Sequence, residues 1–368
     1  MPQHIRQHIP QYTPQHAPAA PSVAPGPDEA VPVTAGLVTG SGRPRPRDRS
    51  LVLGGAVALA CVVVVSVLLG STAISPVALG DPDDPGHAVA LARVDRTVLG
   101  LAVGAALGLS GALLQGLTRN PLADPGLLGI NAGGCLAMAA GMAWFGLSDV
   151  DSRIWAAFVG AAAAGFVVHA VASLGRDGAT PVKTAVAGAA VTAALTSLTS
   201  AVLLTDQATM QSFRQWQVGS VNGRGDDVVQ IGGPFLLLGL VLALVSVRLL
   251  DALALGDDVA RGLGRHTGRD RAVVWAAVVL LAGTAVALAG PIAFVGLLAP
   301  HAARALVGPD HARLLPLSAV AGGILVVLAD TVGRFVLPPT EVQAGIMVAA
   351  VGVPFFLALV RRGRLGAM

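Results

Sequence analysis

About ten stretches of this chain are apolar for close to twenty residues each, and no other feature restricts its fold as severely. They run over residues 51–70, 97–118, 127–147, 154–174, 183–204, 231–250, 272–289, 292–307, 314–333 and 344–361. A helix rises 1.5 Å per residue, so about 20 apolar residues cross the hydrocarbon layer of a bilayer. Inside that layer no water reaches the backbone, and a helix satisfies its own N–H and C=O groups. The expected fold class is therefore an all-α polytopic membrane protein with about ten transmembrane helices. Composition agrees: 54% of the residues are hydrophobic and 12% are charged, against about 25% charged in a soluble domain. Mean hydropathy is +0.71.

Residues 1–48 differ from the rest. Gln3, Gln7, Gln11 and Gln15 recur every fourth residue, with His4, His8 and His16 after three of them. A metal-binding tail and a disordered segment both fit that pattern. Pro2, Pro10, Pro14, Pro18 and Pro21 argue for disorder. Arg43, Arg45, Arg47 and Arg49 then precede the first apolar run, which is longer than a signal-peptide core and reads as a first helix with its basic side in the cytoplasm. The membrane domain is expected over residues 49–364.

With the amino terminus inside, most other arginines also fall on the cytoplasmic side, including Arg119, Arg176, Arg248, Arg261, Arg265, Arg269, Arg271, Arg304, Arg313, Arg361, Arg362 and Arg364. The outer side keeps Arg93, Arg96, Arg153, Arg214, Arg224 and Arg334, which is the asymmetry of the positive-inside rule. Both termini are then cytoplasmic, in a multi-pass protein of the cytoplasmic membrane. Trp144, Trp155 and Trp216 fall near outer span ends, where amphipathic rings settle.

One stretch is richer than the others. Between Arg93-Val94-Asp95-Arg96 and the turn Thr118-Arg119-Asn120-Pro121-Leu122-Ala123-Asp124-Pro125 lies a span carrying Gly104, Gly108 and Gly111. Small residues at helical spacing let another helix come close. Ser110 and Gln115 in the same span need a partner at membrane depth. Two loops stand out as well. In the outer loop 206–227, residues 211–218 suit a short surface helix. In the cytoplasmic loop 251–271, apolar Leu255, Val259, Ala260 and Leu263 recur at helical spacing, with Asp257, Asp258 and Arg261 on other faces.

These stretches together resemble the FecCD-type permease subunits of type II ABC importers, which take up ferric siderophores, vitamin B12 and haem. The resemblance rests on Gln115 to Gly129 with Arg93 and Arg96 ahead of it, on Leu255 to Gly264, on Phe294 to Arg304, and on Ala329-Asp330 through Arg334. It covers about Leu51 to Arg362. One departure is Asp95, where the family has proline before the second arginine. The resemblance implies the type II importer permease fold, a cytoplasmic gate at Asn120 and Leu122, and ATPase coupling through Leu255, Gly256, Asp257, Val259, Ala260, Arg261 and Leu263. It also implies docking of a binding protein through Arg93, Arg96 and Arg334. The implied partners are a second permease subunit, identical or related, two ATP-binding cassette subunits, an extracytoplasmic substrate-binding protein and the lipid bilayer, with no nucleic acid. The implied cargo is a ferric siderophore, with vitamin B12 or haem as alternatives.

The chain has no nucleotide site of its own. The only lysine, Lys183, is followed by Thr184, but Asp177 and Val182 stand where a phosphate-binding loop needs glycine. No cofactor, catalytic residue or metal is expected. His169 reads as a histidine hydrogen-bonded to a neighbouring helix, His301 and Arg304 lack an accompanying carboxylate, and Asp330 and Arg334 stand at i, i+4 where they can pair. Cys61 and Cys135 sit in apolar runs as packing residues. Almost no acid lies deep in the spans, which disfavours a proton-coupled stand-alone carrier. A hydroxyl cluster, Thr192, Thr196, Ser197, Thr199 and Ser200, either lines a path or bonds back to its own helix.

Overall fold

The computed structural model describes residues 46–70, 74–174, 180–222, 226–338 and 340–361. The tail 1–45, Arg176, Arg224, Arg362 and Arg364 lie outside them. The described residues form helices and turns: α1 Pro46–Leu68, α2 His87–Thr118, α3 Ile130–Phe145, α4 Val150–Ala172, α5 Pro181–Leu203 and α6 Gln207–Gln217. The order continues with α7 Asp226–Ala254, α8 Asp257–Gly262, α9 Thr267–Ala289, α10 Val295–Val307, α11 His311–Val336 and α12 Ala344–Arg361. By length and composition α2, α4, α5, α7, α9 and α11 can each cross a membrane, and shorter apolar helices lie in α1, α3, α10 and α12. The two helices left over, α6 and α8, are the two short connecting helices expected in the loops.

The core is built around α2 and α9, each with 78% of its apolar window buried, whereas α5 has 22%. Glycine makes the α2 packing possible. A Cβ on Gly104 would collide with the Gly322 carbonyl of α11, one on Gly108 with the Ser318 carbonyl, and one on Gly111 with the Gly296 carbonyl of α10. Backbones this close gain dispersion contact along their whole length, which is the main attraction between helices in lipid. The outer faces of α4, α5 and α7 remain apolar and exposed, for example at Phe166, Val186 and Leu237.

Two boundaries differ from those expected. Helix α2 begins at His87, ten residues before the apolar run, so Arg93, Asp95 and Arg96 are helical rather than in a loop. Helix α6 begins at Gln207, not 211, because Asp206 caps it by accepting from the amides of Ala208 and Thr209 at 3.2 and 2.9 Å. Helices α9 and α10 are parted where Gly290 and Phe294 take positive φ, +76° and +68°.

Candidate functional site

At the end of the molecule that carries α8, α2 stops in a tightly bonded turn. Arg119 adopts a left-handed conformation with φ +50°. The Asn120 amide donates to the Gln115 carbonyl at 3.2 Å, and the Asn120 side chain accepts from the Leu122 amide at 3.0 Å. Asp124 then accepts from the Gly126 amide at 2.8 Å and caps the short 3₁₀ turn Pro125–Leu128. Asn120 is exposed and Leu122 half-buried, and the prolines on either side of Leu122 fix backbone angles.

Gln115 ties this turn to the bundle. Its Nε2 donates to the carbonyls of Gly296 and Ala123 at 3.2 and 3.4 Å, and its Oε1 accepts from Arg304 at 3.1 Å. The need for a partner at this depth, legible in the sequence, is met by α10. Arg119 donates to the Leu253 carbonyl at the end of α7. Burial pushes the Asp124 carboxyl up to about 6, against the pull of the Gly126 amide.

Helix α8 follows Gly256, whose φ of +102° a side chain would strain. Ala260 is fully buried and anchors the helix, while Leu255, Val259 and Leu263 are 60, 52 and 65% exposed. Leu255 just before the helix, Val259 on it and Leu263 just after it form an exposed apolar ridge. Arg261 pairs with Asp258 at 3.3 Å on the exposed side, and Asp257 opens the helix.

At the opposite end, beside α6, the three remaining arginines do not stand out into solvent. Arg334 is 2% exposed. It holds Asp330 through Nη2 at 2.6 Å and Nε at 3.1 Å, and donates through Nη1 to the carbonyls of Ser66 and Leu69 at 2.6 and 3.2 Å. Arg96 takes the other oxygen of Asp330 at 2.8 Å and Glu341 at 2.8 Å. Arg93 donates to the carbonyls of Val67 and Leu68 at 3.4 and 3.2 Å. The guanidinium groups of Arg334 and Arg93 thus cap the carbonyl end of α1, which has no helical partner of its own. Arg93, Arg96 and Arg334 lie together at the ends of their spans, as expected, with their guanidinium groups turned onto α1, Asp330 and Glu341. Sequence reasoning found the Asp330–Arg334 pair but missed Glu341, which also accepts from Asn222 at 3.3 Å. A lone acid just after Pro338-Pro339 was its only signal.

The remaining polar groups are mostly satisfied locally. On α5, Ser197, Thr199 and Ser200 donate to carbonyls four residues back at 2.9, 2.8 and 3.1 Å. Thr192 Oγ1 is buried without a partner. His169 stacks on Trp275 of α9, ring centres 5.5 Å apart, instead of making the hydrogen bond expected of it. His301 bonds the Leu297 carbonyl of its own helix at 3.0 Å. Among the described residues no cluster of three or more potential metal ligands occurs.

Comparison with known proteins places this arrangement. The chain is 42% identical over 271 residues to the probable siderophore transport system permease protein YfiZ of Bacillus subtilis, covering 74% of this chain and 81% of that one. It is 42% identical over 275 residues to the ferric enterobactin transport system permease protein FepD of Escherichia coli, covering 75% and 82%. An inward-facing structure of a metal-chelate type ABC transporter superposes with a TM-score of 0.75 at 25% identity, covering 85% of this chain and 99% of that one. With the FecCD transport family matching residues 56–362, the chain belongs to that family, the membrane-spanning permease components of ABC importers, which work with ATPase and substrate-binding partners.

Proposed function

We propose that this permease moves ferric siderophores across the cytoplasmic membrane, driven by a separate pair of ATPase subunits. The cargo follows from its relatives, whose names specify siderophore and ferric enterobactin transport. The exposed ridge of Leu255, Val259 and Leu263 carries the coupling assignment. Three large exposed apolar side chains, one on this short helix and one beyond each of its ends, gain nothing from water, and a groove on an ATPase would cover them. Gly256, Asp257, Ala260 and Arg261 shape and hold that helix. The start of α1 and the end of α12 lie on the same, cytoplasmic side as α8, in keeping with the distribution of arginine.

The turn carrying Asn120 and Leu122 forms the inner gate against its counterpart in a second permease subunit. The exposed apolar surface of α5 suits that interface. A substrate-binding protein sits on the α6 end. There Arg93, Arg96 and Arg334 act from inside, holding α1, α11 and the Glu341 segment as a firm platform, with the half-exposed Glu341 at its rim. The test is reconstitution with the partner ATPase in proteoliposomes. Val259→Asp or Leu263→Asp is expected to abolish cargo-stimulated ATPase activity and uptake, with membrane insertion unchanged. Full uptake with either variant overturns the coupling assignment.

A further inference from the structure

Between α9 and α10 the chain is not helical from Gly290 to Phe294, and the contacts at its two ends place this segment at membrane depth. One end lies with α6: the Ala289 carbonyl accepts from the Ser220 amide at 2.7 Å, and a Cβ on Gly290 would strike the Trp216 carbonyl. Just past the other end, the Gly296 carbonyl meets Gly111 and accepts from Gln115. From Arg96 to Gly111 along α2 is about 22 Å by helical rise, and the Thr118 turn lies roughly 10 Å further on. The segment therefore descends through the level of the apolar spans and does not cross over the surface.

Its backbone has few partners. Among the described residues the amides of Ile292, Ala293 and Phe294 donate to no protein group, and the carbonyls of Gly290, Pro291, Ile292 and Ala293 accept from none. Ala293 is exposed, between buried Ile292 and half-buried Phe294. The exposed faces of α4, α5 and α7 differ, because a helix presents only side chains and bonds its backbone to itself. Open backbone is not tolerated against lipid tails, where no water replaces the missing partners, and it occurs at this depth where it is buried in protein or lines water.

The break is held in place. Pro291 supplies no amide and disfavours the helical region for the residue before it. Phe294 keeps a φ of +68°, a costly conformation for an aromatic residue. Its ring lies against α12, where Gly352 leaves room for it.

We propose that the segment 290–294 lines the water-filled path by which cargo crosses, with Ala293 at the wall and the open amides and carbonyls as hydrogen-bonding sites for an oxygen-rich chelate. The cargo rests on the permease reading above; the contact with water rests on the backbone alone.

Cysteine accessibility in proteoliposomes holding the permease with its ATPase tests this. In a Cys61→Ala background, which leaves only the buried Cys135, Ala293→Cys is compared with Leu237→Cys on the exposed apolar face of α7. Both are changes at exposed positions that leave the core packing alone. A charged methanethiosulfonate, present on both sides of the membrane, reacts with thiolate, which forms in water and is suppressed in apolar surroundings. Ala293→Cys is expected to react at least tenfold faster than Leu237→Cys. The attached group is expected to cut uptake of ferric enterobactin at least tenfold relative to the unreacted variant. Reaction no faster than at Leu237→Cys puts the segment against lipid or under a second subunit and overturns the proposal, as does fast reaction that leaves uptake intact. Fast reaction in a permease whose wild type takes up no ferric enterobactin overturns that cargo and leaves the water-lined segment standing.

Discussion

Arg334 shows how one side chain can hold several helices. Its guanidinium reaches Asp330 on its own helix and two carbonyls at the end of α1, and Asp330 passes the contact on to Arg96 on α2. Removing one member of a buried ion pair leaves its partner uncompensated and costs about 3–5 kcal/mol. Arg334→Ala is therefore expected to lower the unfolding free energy of the solubilised permease by about that amount, measured by thermal or denaturant titration. Arg261→Ala, on the exposed Arg261–Asp258 pair, should leave it nearly unchanged. Asp124 makes a prediction of the opposite kind. Its carboxyl is raised to about 6 by burial, so between about pH 4 and 6 the folded protein binds more protons than the unfolded chain. Stability then falls as pH rises through that window, and the loss is complete above it. Asp124→Asn keeps the capping oxygen and removes the charge. Its melting temperature should exceed wild type at pH 7 and converge with it near pH 4.

At the scale of elements, α2 depends on what it lacks. Gly104, Gly108 and Gly111 each meet a backbone carbonyl where a Cβ would stand. Gly111→Ala has to push α2 away from α10, and overpacking of this kind costs about 1–3 kcal/mol. Gly54 meets nothing within 4 Å, so Gly54→Ala should be neutral or slightly stabilising. A pair of melting curves on the two variants checks the contrast. Helix α8 is too short to persist by propensity alone. It is held by buried Ala260 and by the bond from the Arg265 amide to the Ala260 carbonyl at 3.0 Å. That leaves Leu255, Val259 and Leu263 free to face a partner.

For the whole molecule, the two ends divide the work. The α8 end gathers the Asn120–Leu122 turn, the Gln115–Arg304 clamp and the apolar ridge. The α6 end gathers the arginine network, and the segment 290–294 runs down from it. If the turn forms the inner gate across a permease pair, Leu122→Cys on both subunits should crosslink with a short bifunctional reagent and stop uptake in proteoliposomes. Absence of crosslinking in every nucleotide state would count against a gate at the subunit axis.

The sequence by itself determined the helical class, the number of apolar segments and the two short connecting helices. These follow from runs of apolar residues against the fixed thickness of a bilayer and from helical spacing within a few turns. The Asp330–Arg334 pair was legible for the same reason, since i, i+4 neighbours meet on any helix. Only the tertiary structure decided where α2 begins. Residues 87–96 carry charges that read as loop, yet they are helical, and Arg96 within them pairs with Asp330 and Glu341, more than two hundred residues away. Distance in sequence likewise hid the Gln115–Arg304 bond. Local pattern fixes which residues share a helix face, but which faces meet is set by packing between segments far apart in the chain.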